Sequence, residues 1–286
     1  MDSAFLIVHP QNPGSNPETL KDNSFQTSES VMLVPRARAQ FKSFVQRLKA
    51  EGFEVLEVED KSMSPDVWFP NNWFTHFGDK LYLFPMLSEL RREEVQLSHV
   101  EAMAKRRGIR EVVDLRSWLA KEEFLEGTGS LIFDPDNNRA YAALSERTCP
   151  NVLKDFELRS GVEIITFESE FEEKAIYHTN VLMSIGPGIA VICSDVIDNP
   201  KPVLDLLSQD KEILEISIDQ LKAFCGNVFF ARKDGEDYCL MSSTSRNAFT
   251  ADQLDLIQTK AQVIDFEVDA IEALGGGSVR CMLGEF

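Results

Sequence analysis

Cys281 follows a run of three glycines, Gly275-Gly276-Gly277, and stands five residues before the end of the 286-residue chain. Adjacent glycines let the backbone turn sharply and approach a ligand closely, because no Cβ stands in the way. A thiol held there can act as a nucleophile if a base and an orienting group converge on it. Alone, it reads as a small buried core residue. His178 and Glu126 are of the types it needs. An imidazole lowers the thiol pKa and shuttles protons, and a carboxylate orients the imidazole or binds substrate nitrogens. Taken singly, His178 reads as a structural histidine and Glu126 as a solvated loop charge.

The elements that would bring these residues together recur along the chain. Apolar runs flank turn signals at Gly78-Asp79-Lys80, Asp134 to Asn138, Gly186-Pro187-Gly188 and Lys233 to Asp237. Each reads as a hairpin. Helix candidates follow at 88–107, 146–159, 202–210 and 251–262, and then strands at 111–115, 162–167, 213–216 and 263–268. Four strand-strand-helix-strand units at a spacing near fifty residues mark a propeller or repeat array.

A fifth unit can be assembled from the chain ends. Val279 to Leu283 would pair with Phe5 to Val8, followed by a helix over 35–50 and a strand over 53–58. In that helix Phe41, Phe44, Val45 and Leu48 share one face, and Gly52 marks its stop. Pairing the two ends would close a ring and leave no exposed sheet edge. In such a ring the residues leading into each first strand gather at one end of a central axis. They are Asp66 to Asn72, Glu126 to Gly129, His178-Thr179-Asn180, Gly226-Asn227 and Gly275 to Cys281. The fold expected is therefore a single α/β domain over residues 1–286, a five-bladed α/β-propeller of ββαβ units.

Composition narrows the function classes. The chain is 43% apolar and 27% charged, as a soluble globular protein is. Its net charge of −18 argues against nucleic acid and anionic membrane surfaces as partners. No apolar run approaches the ~18 residues of a membrane span. The opening Met1-Asp2-Ser3-Ala4-Phe5 has no basic region, so no signal peptide is expected. The 5 cysteines include no Cys-x-x-Cys spacing, which speaks against a disulfide framework or zinc site and for a reducing cytoplasm. The 4 histidines are too far apart for a metal motif, and neither metal nor organic cofactor is expected. The oligomeric state stays open, with a homodimer as one option.

Five segments together carry a resemblance: Asn23 to Gln26, Pro65 to Phe74, Phe124 to Ser130, Tyr177 to Val181 and Gly275 to Met282. The chain resembles the guanidino-group-modifying (pentein) superfamily, and more narrowly its amidinotransferase-like, citrulline hydrolase group. The resemblance implies a five-bladed propeller, with Cys281 as nucleophile, His178 as acid and base, and Glu126 as orienting carboxylate. Asn72 and Asn180 fall where the superfamily's motifs carry aspartates that grip a guanidinium. Asp66 falls in the first of these motifs and would contact the substrate's amino-acid end or its distal nitrogen. It also reads as a turn aspartate.

A guanidinium is a cation with donors only, whereas a ureido group is neutral with both a donor and an acceptor. An Asn side chain also offers both. The paired Asp-to-Asn departure therefore points to a ureido amino acid, with citrulline hydrolysed to ornithine and carbamate. The alternatives are a deiminase, dimethylarginine hydrolase or amidinotransferase acting on a guanidino substrate, and a non-catalytic amino-acid-binding protein. Arg246 is a weak candidate for a carboxylate anchor. Arg280, next to the nucleophile on an expected strand, would face away from it, and His76 reads as structural. The polar segment Gln11 to Gln26 would form a lid over the pocket or an ordinary surface connection.

Overall fold

The computed structural model describes residues 2–21, 23, 25, 26 and 32–286; Ser24, within one of the quoted segments, lies outside them. The strands are β1 (Ala4–His9), β2 (Glu54–Glu59), β3 (Phe74–Phe77), β4 (Lys80–Leu83), β5 (Glu111–Asp114), β6 (Ile132–Asp134), β7 (Arg139–Ala143), β8 (Glu163–Phe167), β9 (Glu170–Phe171), β10 (Lys174–Ala175), β11 (Met183–Gly186), β12 (Ile189–Ile192), β13 (Glu212–Glu215), β14 (Phe229–Lys233), β15 (Glu236–Ser242), β16 (Gln262–Phe266) and β17 (Gly284–Glu285).

Among the described residues, fifteen of these strands form five three-stranded sheets: β17-β1-β2, β3-β4-β5, β6-β7-β8, β11-β12-β13 and β14-β15-β16. All five share one topology. The first strand is antiparallel to the middle strand, and the middle strand is parallel to the third. The antiparallel pair needs only a short turn, whereas the parallel pair needs a long crossover. Each crossover carries helix: Val34–Ala50, Leu97–Arg107, Pro150–Ser160, Lys201–Leu207 and Ala251–Gln258. The middle strands are the most apolar. Ile189–Ile192 is buried throughout, as expected of a strand covered on both faces.

The first helix packs the face read from its periodicity, with Phe41, Phe44, Val45 and Leu48 all buried. Each such side chain contributes ~1.5–3 kcal/mol on leaving water. The first strands of all five sheets line one cavity of about 380 Å³. No helix among the described residues is long and apolar enough to cross a membrane.

Three expectations need correction. The strand expected over Val279 to Leu283 is a one-turn helix, Val279–Met282, and only Gly284 and Glu285 pair with Leu6 and Phe5. Ser278 O accepts from the backbone N–H groups of Cys281 and Met282, which closes that turn. The helix expected over 88–107 is split into Glu89–Arg92 and Leu97–Arg107. The break lets Glu94 turn inward, where its carboxylate takes two hydrogen bonds from Arg91. The helix expected from Glu146 begins only at Pro150, a residue suited to the first helical position. The preceding turn, Ser145 to Thr148, is left to present Arg147.

Candidate active site

One-turn helical segments precede four of the five first strands: Pro70–Asn72, Gly127–Ser130, Thr179–Leu182 and Val279–Met282. They turn the backbone so that residues on or just before them face one another. Cys281, His178, Asn72 and Asp66 line a single narrow cleft of about 20 Å³. Glu126 and Asn180, both fully buried, touch its wall through hydrogen bonds. All six predicted residues therefore lie in one neighbourhood.

Cys281 Sγ accepts hydrogen bonds from Asn180 Nδ2 at 3.4 Å and Asn227 Nδ2 at 3.3 Å. Asn227 is itself fixed by donating to the backbone oxygen of Asn180 at 2.8 Å. Burial pushes the Cys281 thiol up, opposed by the Asn227, Ser278 backbone and Asn180 hydrogen bonds and the Arg280 charge. The glycine run lets the loop approach. Gly276 has φ +63°, and a Cβ there would lie 2.4 Å from Asn23 Nδ2. A Cβ on Gly129 would lie 2.9 Å from the His178 ring, so the imidazole needs that glycine.

His178 Nε2 is 2.7 Å from Glu126 Oε2. The other Glu126 oxygen accepts from the Leu87 backbone N–H at 3.0 Å, and Arg147 lies 3.6 Å from the carboxylate. Burial raises the Glu126 carboxyl, but the Arg147 charge and the His178 hydrogen bond hold it well below the usual carboxylate range. His178 is pushed down, first by burial, with the Arg147 and Arg91 charges adding to it against the pull of Glu126. Thiol and neutral imidazole are thus the favoured forms near neutral pH. Asn72 Nδ2 lies 3.2 Å from His178 Nε2 and 3.3 Å from Glu126 Oε2. With its amide oriented to satisfy its neighbours, Asn71 donates to the backbone oxygen of Cys281 at 2.8 Å and so ties this turn to the nucleophile's.

Asp66 accepts from Asn16 through Oδ2 at 3.0 Å, while Oδ1 is buried with no partner. Asn180 Oδ1 is likewise buried and unpartnered. Burial holds the Asp66 carboxyl above its ordinary value, against the Arg91 charge. Arg91 forms a bidentate pair with Glu94, at 2.9 and 3.0 Å, and donates to the Phe69 carbonyl at 2.8 Å. The polar segment near the N-terminus lies across the cleft. Thr19 and Asn23 line it, Asn23 donates to Gly275 O and Gln26 donates to Leu274 O.

Arg246 lies elsewhere, 3.7 Å from Asp265 and half exposed, so it is no anchor here. Arg280 turns away from the cleft, as expected, although on a helical turn rather than a strand. Arg91, Arg147 and Asn227 were not singled out as site residues. Asn227 had a signal, its equivalence to the other strand-leading turns. Arg91 and Glu94 stand three apart and look like a solvated helix pair. Nothing in the sequence marks Arg147.

The fold and site together define the guanidino-group-modifying, or pentein, superfamily. The chain belongs to the family described as N,N dimethylarginine dimethylhydrolase, eukaryotic, whose model matches residues 9–286. Among solved structures it is similar to the N-terminal domain of ArgZ, a cyanobacterial arginine dihydrolase, with TM-score 0.77 and 18% identity over 100% of this chain and 97% of that one. Against longer ArgZ the match covers 99% of this chain, at 17% identity and TM-score 0.77, but only 40% of the neighbour. A dimethylarginine dimethylaminohydrolase adduct with S-methyl-L-thiocitrulline matches at TM-score 0.71 and 14% identity over 100% of both chains. No curated protein matches the chain in sequence.

Proposed function

We propose that the chain is a cysteine-dependent hydrolase of a guanidino amino acid, acting through a covalent bond to Cys281. The observation that carries this is the pair of buried acceptors without partners, Asp66 Oδ1 and Asn180 Oδ1, beside a hydrogen-bonded thiol. A guanidinium brings only donors and a positive charge, so it satisfies both. Arg91 and Arg147 line the same cleft, and although each already pairs with a buried glutamate, their charge there favours a substrate carboxylate. The names of the structural neighbours support an arginine-type substrate over citrulline, which the two asparagines alone had favoured.

In this reading His178 takes the Cys281 thiol proton as the cationic substrate binds, and Sγ attacks the guanidino carbon. His178 gives a proton to the departing amine, the C–N bond breaks, and an amidino group stays on sulfur. His178 then takes a proton from water, which adds to the same carbon. The C–S bond breaks, the thiolate leaves, and a ureido amino acid is released. Glu126 stabilises the imidazolium that His178 becomes before it protonates the amine and again after it takes the proton from water, which it returns to the departing thiolate. Asn72, Asn180 and Asp66 hold the substrate head.

A second reading keeps a ureido substrate. Asn72 and Asn180 favour it, because each offers both a donor and an acceptor to a neutral head group. The two readings separate when purified protein is given arginine, dimethylarginine, citrulline and agmatine in parallel and amine and amino-acid products are measured. Turnover of arginine or dimethylarginine sustains the guanidino reading. Turnover of citrulline alone transfers the assignment to the ureido reading.

The five sheets fit a five-bladed α/β-propeller closed by β17 on β1, one catalytic domain over residues 1–286. Support comes from their identical topology and from the cavity that all five first strands share.

A further inference from the structure

We propose that the 380 Å³ cavity behind the nucleophile is a second binding site, for a small amino-acid-type zwitterion held carboxylate-inward by Arg280. The observations are independent of which substrate the catalytic cleft takes.

Arg280 is one residue from Cys281, yet it lines this cavity and not the cleft. Its guanidinium is buried, stacks 4.4 Å over the Phe229 ring, and gives one hydrogen bond, from Nη1 to Leu283 O at 3.3 Å. Among the described residues no carboxylate lies within ion-pair distance of it, although the Glu285 charge acts on it from farther off, so a buried cation faces the cavity with donors left over. A buried charge without a counter-ion in direct contact is costly. The hydroxyls of Thr75 and Ser184, on β3 and β11, are buried in the same wall with no hydrogen-bond partner. Each has a donor to offer an anionic group bound in this cavity.

The outer wall has the opposite sign. Asp136, Asp237 and Glu285 line it, are more exposed than Arg280, and outnumber the one cation among them, Arg232. Glu285 accepts from Ser3, and Asp237 lies 3.7 Å from Arg232. His76 is held below its ordinary value by burial and the Arg107 charge, and brings no cation at neutral pH. A pure anion would have to pass this rim against a chain of net charge −18. A zwitterion matches both ends, its carboxylate on Arg280 and its ammonium toward the rim.

Occupancy would be felt at the catalytic residue. Arg280 is among the charges that favour the Cys281 thiolate. A carboxylate on Arg280 cancels that field and makes the thiol harder to ionise.

The test uses the full chain with Cys281 carboxamidomethylated, which blocks the catalytic cleft, and titrates 4-aminobutyrate calorimetrically. Acetate, ethylammonium and inorganic phosphate are the comparison probes. Thr75→Val with Ser184→Ala removes two hydroxyls that have no partner, so folding is unaffected. The expected result is binding of 4-aminobutyrate tighter than acetate or phosphate, weakened about tenfold in the double variant. On unmodified protein the zwitterion should slow iodoacetamide labelling of Cys281, and less so in the double variant. Absent binding, binding unchanged by the double variant, or phosphate binding as well as 4-aminobutyrate would each overturn the proposal.

Discussion

Two adjacent residues open onto two unlike cavities. Cys281 faces a cleft of about 20 Å³ in which nearly every polar atom is paired. Arg280 faces one of about 380 Å³ where the Thr75 and Ser184 hydroxyls have no partner and the guanidinium gives one hydrogen bond. The difference shows what each side spends its burial on. On the cleft side, Glu126, Arg147, Arg91 and Glu94 are buried charges that satisfy one another and hold the imidazole still. Such a network is high-stakes, because removing one member strands another charge. The few atoms left over there, Asp66 Oδ1 and Asn180 Oδ1, stand out against a saturated background. On the Arg280 side there is room, and among the described residues Arg280 has no ion-pair partner in contact.

The first way to break the comparison is at the nucleophile. Cys281→Ala should cut turnover by at least ~10⁴-fold while the melting temperature stays put, since the covalent step has no substitute. Product release from purified variant protein measures it, and appreciable residual turnover would defeat the covalent scheme. The next effect in size tests the network. Glu126→Gln should lower kcat by roughly 10²–10⁴-fold through loss of the imidazole's partner. It should also destabilise the fold by about 3–5 kcal/mol, because Arg147 loses a buried counter-charge. A melt matching the parent would mean that Arg147 does not depend on Glu126 for its counter-charge. Thr75→Val on the other side should leave the melt unchanged.

A third effect is a pH slope. Burial raises the Cys281 thiol above its ordinary value, so the thiolate fraction still climbs through the mildly alkaline range. Labelling of Cys281 by iodoacetamide, read on its own peptide by mass spectrometry, should rise from pH 7 to 9 without levelling off. A plateau near neutral pH would show that the Asn227, Asn180 and Arg280 contacts outweigh burial.

Much of the fold could be read from residue order alone. The runs Ile189–Ile192 and Arg139–Ala143 are apolar enough, and their turns polar enough, that hairpins fell within a residue or two of their places. The recurrence of those hairpins then brought Cys281, His178 and Glu126 together before any coordinates did. The one-turn helices that aim these residues were invisible, because four residues such as Val279–Met282 are too short to show a helical period. The buried charge network was invisible for another reason. Arg91 and Glu94 carry the pattern of a solvated helix face, and only the break at 93–96 turns them inward. Asn72 and Asn180 favour a neutral head group, whereas Asp66 Oδ1, whose lack of a partner only the packing reveals, favours a cationic one.

The smallest predicted effect is the sharpest probe of that free oxygen. Asn16 reaches Asp66 Oδ2 at 3.0 Å and Ser88 Oγ at 3.2 Å, fastening the segment over the cleft to the acceptor beneath it. Burial already raises the Asp66 carboxyl, and Asn16 is among the groups pulling it back. Asn16→Ala removes a hydrogen bond to a charged group, a loss of about 1.5–3 kcal/mol at most. Much of that returns as water enters, leaving a few-fold effect. If Asp66 grips the cationic head equally in ground and transition states, the loss falls on KM and leaves kcat alone. The shift should also grow as pH falls, because the less supported carboxylate protonates sooner. A fall in kcat at unchanged KM would place Asp66 in the chemical step. No change in either would remove Asp66 from the substrate's contacts and leave Asn180 Oδ1 as the only unpartnered acceptor of the pair.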